Sequence, residues 1–272
     1  MYMYKENMSL QRKNYLSKRR KNKTLITVCR IGIVLVLFAA WEIAADIGAI
    51  DTFITSKPSR MVQTAISLFK TGDLLRHIGV TCLETVVGFL IGTVTGTLTA
   101  ILLWSSKTLA SILEPYLIVL NSLPKIALGP IFIIWIGSGK TAIIVMALTI
   151  SLIVTVLEVY TAFSCVSEEK IKLIRCFGGS KLDVLLKVVL PSNVPAIVNA
   201  LKVNVGLSWV GVIVGEFLVS KEGLGYLIVY GSQVFQLDLV MTSTLILAMC
   251  ATAMYQCVAI AEKRLIKQSN YL

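Results

Sequence analysis

Long apolar runs separated by short polar segments set the pattern of the chain. Nearly unbroken runs occupy residues 25–45, 78–103, 141–163, 195–219 and 240–261. Each is close to the roughly 20 residues an α-helix needs to cross the hydrocarbon of a bilayer. A sixth run, residues 116–136, is interrupted by Asn121, Pro124, Lys125 and Pro130. Proline is tolerated in such a helix when neighbours re-satisfy the carbonyls it frees, so this run predicts a kinked, protein-facing span. The fold class expected is all-α, a polytopic membrane protein with about six transmembrane helices. Residues 1–24 form a basic arm, 25–262 the membrane domain and 263–272 a short tail.

Two connections depart from simple turns. Residues 47–77 contain Lys57-Pro58-Ser59, a turn signal, followed by Met61, Ala65, Leu68 and Phe69 at helical spacing, which predicts a short interfacial helix. Residues 164–193 form the one long polar segment between spans. Within it Ile171, Ile174 and Phe177 make one apolar stripe, Gly178-Gly179 interrupts, and Leu182, Leu185, Leu186 and Val189 make the next. Two short amphipathic helices joined at a glycine bend suit docking against another protein.

Composition narrows the class further. The 272 residues are 56% hydrophobic and 15% charged, against roughly 45–50% and about 25% for soluble domains. A soluble globular domain, a collagenous chain and a disulfide scaffold are thereby excluded. The net charge of +11 acquires meaning from its placement. Lys5, Arg12, Lys13, Lys18, Arg19, Arg20, Lys21 and Lys23 precede the first run, opposed by Glu6. Beside a hydrophobic segment they read as a cytoplasmic topology anchor, with no nucleic-acid partner. With the N-terminus inside, 18 basic residues fall in cytoplasmic pieces and 6 in outer ones. This asymmetry places both termini in the cytoplasm of a plasma-membrane protein, and a cleaved signal peptide does not fit the long basic region.

Candidate chemistry is sparse. Six cysteines form no C-x-x-C pair and His77 is the single histidine, so metal sites and Ser-His catalysis find no support. Gly137-Ser138-Gly139-Lys140-Thr141 imitates the end of a phosphate-binding loop, but Ile134 stands where the first glycine belongs and spans flank the segment. In the second run Gly88, Gly92, Gly96 and Ala100 recur every fourth residue and allow close helix approach, within the chain or to another subunit. Lys202 can snorkel to the surface, and Glu42, Glu158 and Glu216 lie near span ends; Glu84 and Lys125 are candidates for a lined cavity or for buried structural polar groups.

One motif is recognisable. Gly178, nine residues, then Val188-Val189-Leu190-Pro191 resembles the E-A-A loop of permease subunits of ATP-binding-cassette importers. Lys172, Leu173 and Ile174 occupy the E-A-A positions, and Val188 replaces an isoleucine. Ser56-Lys57-Pro58-Ser59, residues 84–89, residues 123–130 leading to 134–139, Ala200-Leu201-Lys202 with Ser208-Trp209, Gly215-Glu216 and Gly223-Leu224-Gly225 are similar to the nitrate/sulfonate/taurine branch, in colinear order.

The resemblance implies one membrane subunit of an importer, working with a second permease copy, two cytoplasmic ATP-binding subunits and an extracytoplasmic binding protein. It implies ATPase coupling through Arg175, Phe177, Gly178, Gly179, Lys181, Asp183, Leu190 and Pro191. ATP is then used by the partner, and this chain binds no cofactor or metal and has no catalytic residues. Asn121, Lys125, Trp209 and Glu216 are the candidate path residues for a small solute such as a sulfonate, taurine, nitrate or a vitamin precursor. The alternative is an ion-driven secondary transporter, which usually shows an internal repeat of spans that this chain lacks.

Overall fold

The computed structural model describes residues 10–269, and every regular element among them is helical. Lys5 and Glu6 of the arm, and residues 270–272 of the tail, lie outside the described residues. The chain divides into two units, residues 1–63 and 64–272.

In the first unit, helix α1 (Leu10–Asp46) runs unbroken from the arm through the first span, so the arm's described part continues the helix across the expected boundary at residue 24. Nothing in Leu10–Lys23 breaks a helix, as neither glycine nor proline occurs there. A single turn, α2 (Thr52–Thr55), is started by Asp51, whose side chain accepts from the Phe53 N–H at 2.8 Å. Helix α3 (Pro58–Thr71), whose residues from 64 onward belong to the second unit, then begins with proline at its first position. Its Ser59 N–H donates to Glu42 at 3.0 Å, which explains the Glu42 carboxylate near the end of α1. Lys57 bonds Asp46 at 2.9 Å, and this contact holds the Lys57 amine above its ordinary range. Along α3 Met61 is buried and Ala65 and Leu68 partly so, while Phe69 is exposed. Phe69 is thus off the packed stripe that spacing suggested.

The second unit holds the other spans. Helices α4 (Asp73–Ser105), α5 (Lys107–Ser122), α6 (Gly129–Ile136) and α7 (Lys140–Ser164) follow in order. The run at 116–136 is broken rather than kinked: α5 ends at Ser122, a 3₁₀ turn covers Lys125–Leu128, and the two halves meet at 89°. Leu123 is extended, as a residue before proline must be, and Pro124 cannot continue the hydrogen-bond ladder. Helix α8 (Glu168–Cys176) precedes the bend, and α9 (Lys181–Val184) follows it. A π-turn at Leu185–Val189 joins α9 to α10 (Leu190–Val219), so the second loop helix is not short; it runs into the span as one helix, Lys181–Val219. The widened turn precedes Pro191, whose missing N–H disturbs the regular register. Helices α11 (Leu224–Gln233) and α12 (Leu237–Ser269) complete the unit.

Helix α7 lies between α4 and α10, and small residues permit it. A Cβ on Gly88, Gly92 or Gly96 would fall 3.0 Å from Ala147 Cβ, 2.7 Å from Ser151 Oγ or 2.8 Å from Thr155 Cγ2. On the opposite side Gly211 meets the Ala147 backbone and Gly215 the Ile143 backbone, the latter at 3.0 Å. Ala147 is fully buried between two glycines of two helices. Among the described residues, five helices are long and apolar enough to cross a membrane, or six with the broken pair taken as one span.

Candidate functional site

The glycine bend is built from four local devices. The N–H groups of Gly178 and Gly179 donate to the Arg175 and Ile174 carbonyls, both at 2.9 Å, closing the end of α8. Gly178 has φ +78°, the left-handed conformation that glycine adopts without a Cβ penalty. A Cβ on Gly179 would lie 2.8 Å from the Ile174 carbonyl oxygen, so the second glycine is needed for space. Ser180 and Asp183 then form a capping box that starts α9: the Asp183 N–H donates to Ser180 Oγ at 3.2 Å, and the Ser180 N–H to Asp183 at 3.0 Å. Lys187 pairs with Asp183 at 2.7 Å, and the Lys181 amine reaches the Ser105 carbonyl at 3.4 Å.

The bend is mounted on the core and presents a face outward. Val184, Leu185 and Val189 are buried with Ala100 of α4 and Val159 and Phe163 of α7, and Ile171 and Ile174 pack against this cluster. Phe177 does not join the stripe with Ile171 and Ile174, because the αL turn follows it directly; its side chain is 83% exposed. Leu173, Leu182 and Leu186 are exposed around it, as is Arg175. Leu190 is half-buried and Pro191 exposed at the start of α10. The corner thus has a buried base and exposed apolar side chains on its outer side.

At the other end of the unit the polar residues are tied together. The Thr81 hydroxyl donates to Glu216 Oε1 at 2.7 Å and accepts the Leu224 N–H at 2.7 Å, and the Gly225 N–H donates to Glu216 Oε2 at 2.6 Å. The Gly223 N–H donates to His77 Nδ1 at 2.8 Å, which leaves the neutral ring's proton on Nε2. Glu216, fully buried, therefore caps the first turn of α11, where a carboxylate is favoured. Gly223 at φ +107° and Gly225 leave room for that carboxylate, since a Cβ on either would collide with it. Removing it in Glu216→Ala leaves the buried Gly225 N–H unpaired and the Thr81 hydroxyl with only the longer bond to the His77 carbonyl, and is expected to cost about 3 kcal/mol. The midpoint of heat-induced loss of the monodisperse, detergent-solubilised chain reports this; an unchanged midpoint removes the carboxylate from the cap.

The remaining candidates are dispersed. Asn121 and Lys125 meet across the broken span, the Lys125 amine donating to the Asn121 carbonyl and Oδ1, both at 3.1 Å. Trp209 is buried among Phe89, Val205 and residues of α12, its indole N–H without a hydrogen-bond partner. Glu84 is buried with neither oxygen hydrogen-bonded, on the wall of a cavity of about 330 Å³ shared with Lys140, Lys221 and Glu222. Lys202 pairs with Glu262 of α12 at 2.5 Å rather than reaching the surface alone. Sequence reading passed over the Thr81–Glu216–Gly225 junction, which no local pattern reveals. It also passed over the readable Gly211-x-x-x-Gly215 pair and the Ser180-x-x-Asp183 box.

Comparison with known proteins assigns this multi-span helical unit, with its exposed loop corner, to a class, the membrane permease subunits of ATP-binding-cassette importers. Residues 89–267 match the family described as "binding-protein-dependent transport system inner membrane component". The chain belongs to this family, and it is a membrane permease subunit of an importer of that kind. It is 33% identical to a "probable ABC transporter permease protein" of Haemophilus influenzae over 82% of this chain and 90% of that one. It is 26% identical to the "putative aliphatic sulfonates transport permease protein" of Bacillus subtilis, over 86% and 85% respectively. The fold is similar to a chain in the crystal structure of a bacterial ABC transporter for alginate import, with TM-score 0.64 and 14% identity over 92% of this chain and 99% of that one.

Proposed function

We propose that the chain works as half of a permease pair, most simply with a second copy, in an importer of a small solute of the sulfonate, taurine, nitrate or vitamin-precursor type. The name of the Bacillus subtilis relative supports an aliphatic sulfonate within that range. Both termini and the bend face the cytoplasm, as the distribution of basic residues requires. An extracytoplasmic binding protein delivers the solute, and cytoplasmic ATP-binding subunits seat on the bend and use the ATP. Asn121, Lys125 and the cavity wall at Glu84 are the path residues this reading favours, while Trp209 and Glu216 act by holding the surrounding helices. Closure of the ATPase pair would rock the spans from inward-open to outward-open, and hydrolysis would reset them.

The observation that carries this reading is the exposure of Phe177 on a corner whose base is buried. The experiment is co-purification with an ATPase subunit from the same source, wild type against Gly178→Glu. At Gly178 a Cβ meets nothing within 4 Å, but the φ of +78° strains any residue other than glycine, so Gly178→Ala, which adds that strain without the charge, is the control and should keep more of the association. Co-elution lost in Gly178→Glu is expected. Equal association of wild type and Gly178→Glu, or none with wild type alongside gradient-driven uptake by the chain alone, overturns the coupling role.

A further inference from the structure

At the end of the bundle that carries the bend, α4 stops at Ser105 and α7 at Ser164, which sets the local level of the membrane surface. A cleft of about 640 Å³ opens there, between the α4–α5 corner and α8. Its charged lining is Lys107, Lys172, Arg175 and Lys181 against the single carboxylate of Glu168. Glu168 is taken by Lys172 at 3.3 Å, and Lys181 is turned to the Ser105 carbonyl. Lys107 and Arg175 have no ion-pair partner among the described residues. Ser106 caps α5, and the first turn of this 16-residue helix, Lys107 and Thr108, lies on the cleft wall, adding the positive end of a helix dipole.

The cleft has an apolar extension. A second cavity of about 360 Å³ shares Trp104, Lys107, Glu168 and Ile171 with it and continues along Leu103, Tyr160 and Phe163. One ligand end is therefore met by cations and the other by a mixed wall in which Leu103, Tyr160, Phe163 and Val166 alternate with Ser111 and Ser164, with Trp104 lining both parts, a placement that suits an indole at a membrane interface. A free anion would leave the apolar half empty. We propose that this cleft binds an anionic phospholipid of the cytoplasmic leaflet, with the headgroup phosphate at Lys107 and Arg175 and an acyl chain along Tyr160 and Phe163. Arg175 and Lys181 belong to the α8–bend–α9 corner and Lys107 to α5, so the lipid ties the corner to the spans. The proposal rests on the cytoplasmic placement of the bend, and its main readout, lipid retention, requires no ATPase subunit.

The test is native mass spectrometry of the full chain released from detergent, with phosphatidylglycerol and phosphatidylcholine supplied in equal amounts. Wild type is expected to retain phosphatidylglycerol preferentially, and Lys107→Gln to reduce that retention about fivefold, the usual effect of one surface cation on anionic lipid. Lys70→Gln, which removes an exposed cation from α3, should leave it unchanged. Elution volume and helical circular dichroism identify a variant that fails to fold, in which case Lys172→Gln takes its place. Equal retention of the two lipids by wild type, or unchanged retention in Lys107→Gln, overturns the proposal. Release of the lipid by millimolar inorganic phosphate would mark a free-phosphate site instead. Equal lipid retention with ATPase association lost in Lys107→Gln would assign the cleft to protein docking.

Discussion

Truncation of Phe177 to alanine is expected to lower ATP-driven uptake about 30-fold while the isolated chain keeps its thermal midpoint. The side chain is 83% exposed and makes no core contact, so its loss removes little from the folded chain itself. Under the proposed coupling the ring goes from water into an ATPase cleft, and burying a phenylalanine contributes about 2 kcal/mol, a factor of about 30. Aromatic anchors at the centre of an interface commonly carry such a share of the binding energy. Uptake by reconstituted importer and melting of the free subunit separate the two effects. Unchanged uptake would take Phe177 out of the docking contact, and a lowered midpoint would mean it packs within the chain.

Gly211→Leu is expected to destabilise the permease by about 3 kcal/mol or more, whereas Gly206→Leu on the same helix should be close to neutral. A Cβ on Gly211 collides with the Ala147 backbone, and no rotamer change relieves a backbone clash. Helix α7 has little room to retreat, because Ala147 is fully buried and α4 packs against it so closely at Gly88 that a Cβ there would not fit. Overpacking of well-packed positions costs about 1–3 kcal/mol with one added group, and leucine adds several. Gly206 has open space within 4 Å and an exposed position, so leucine there only adds apolar surface. Yield of monodisperse protein and its thermal midpoint check the pair. Similar values for both variants would show that α7 and α10 do not meet through this contact.

The spans, their order and the glycine bend were legible because membrane helices announce themselves by length and hydropathy, and because αL turns select glycine. The stripe of Gly88, Gly92 and Gly96 was equally visible, but which helix it faces was not; α7 answers with Ala147, Ser151 and Thr155 at the same four-residue spacing. The break at Leu123-Pro124 was read as a kink, since a pattern of prolines does not state an angle. Phe177 was placed on a packed stripe by helical spacing, yet α8 ends before it and the stripe ends with the helix. Glu216 looked like a lone charge near a span end. Its partners, Thr81 and Gly225, stand 135 and 9 residues away, and only the tertiary fold brings a distant helix to them.

Helix Lys181–Val219 begins at the bend and ends three residues after the Glu216 cap, without a break between them. Its 39 residues make a rod about 58 Å long. With its foot at the bend, such a rod would turn a 5° rotation there into a stroke of about 5 Å at its far end. The Glu216–Thr81–Gly225 clasp joins that end to α4 and α11, so under the proposed coupling the three helix ends would move as a linked set. The π-turn at Leu185–Val189 and the interior Pro195 both interrupt the regular ladder of the rod, and both lie near its foot. If the bend couples to an ATPase as proposed, compliance at these two positions would set how much of a rotation is transmitted and how much is absorbed.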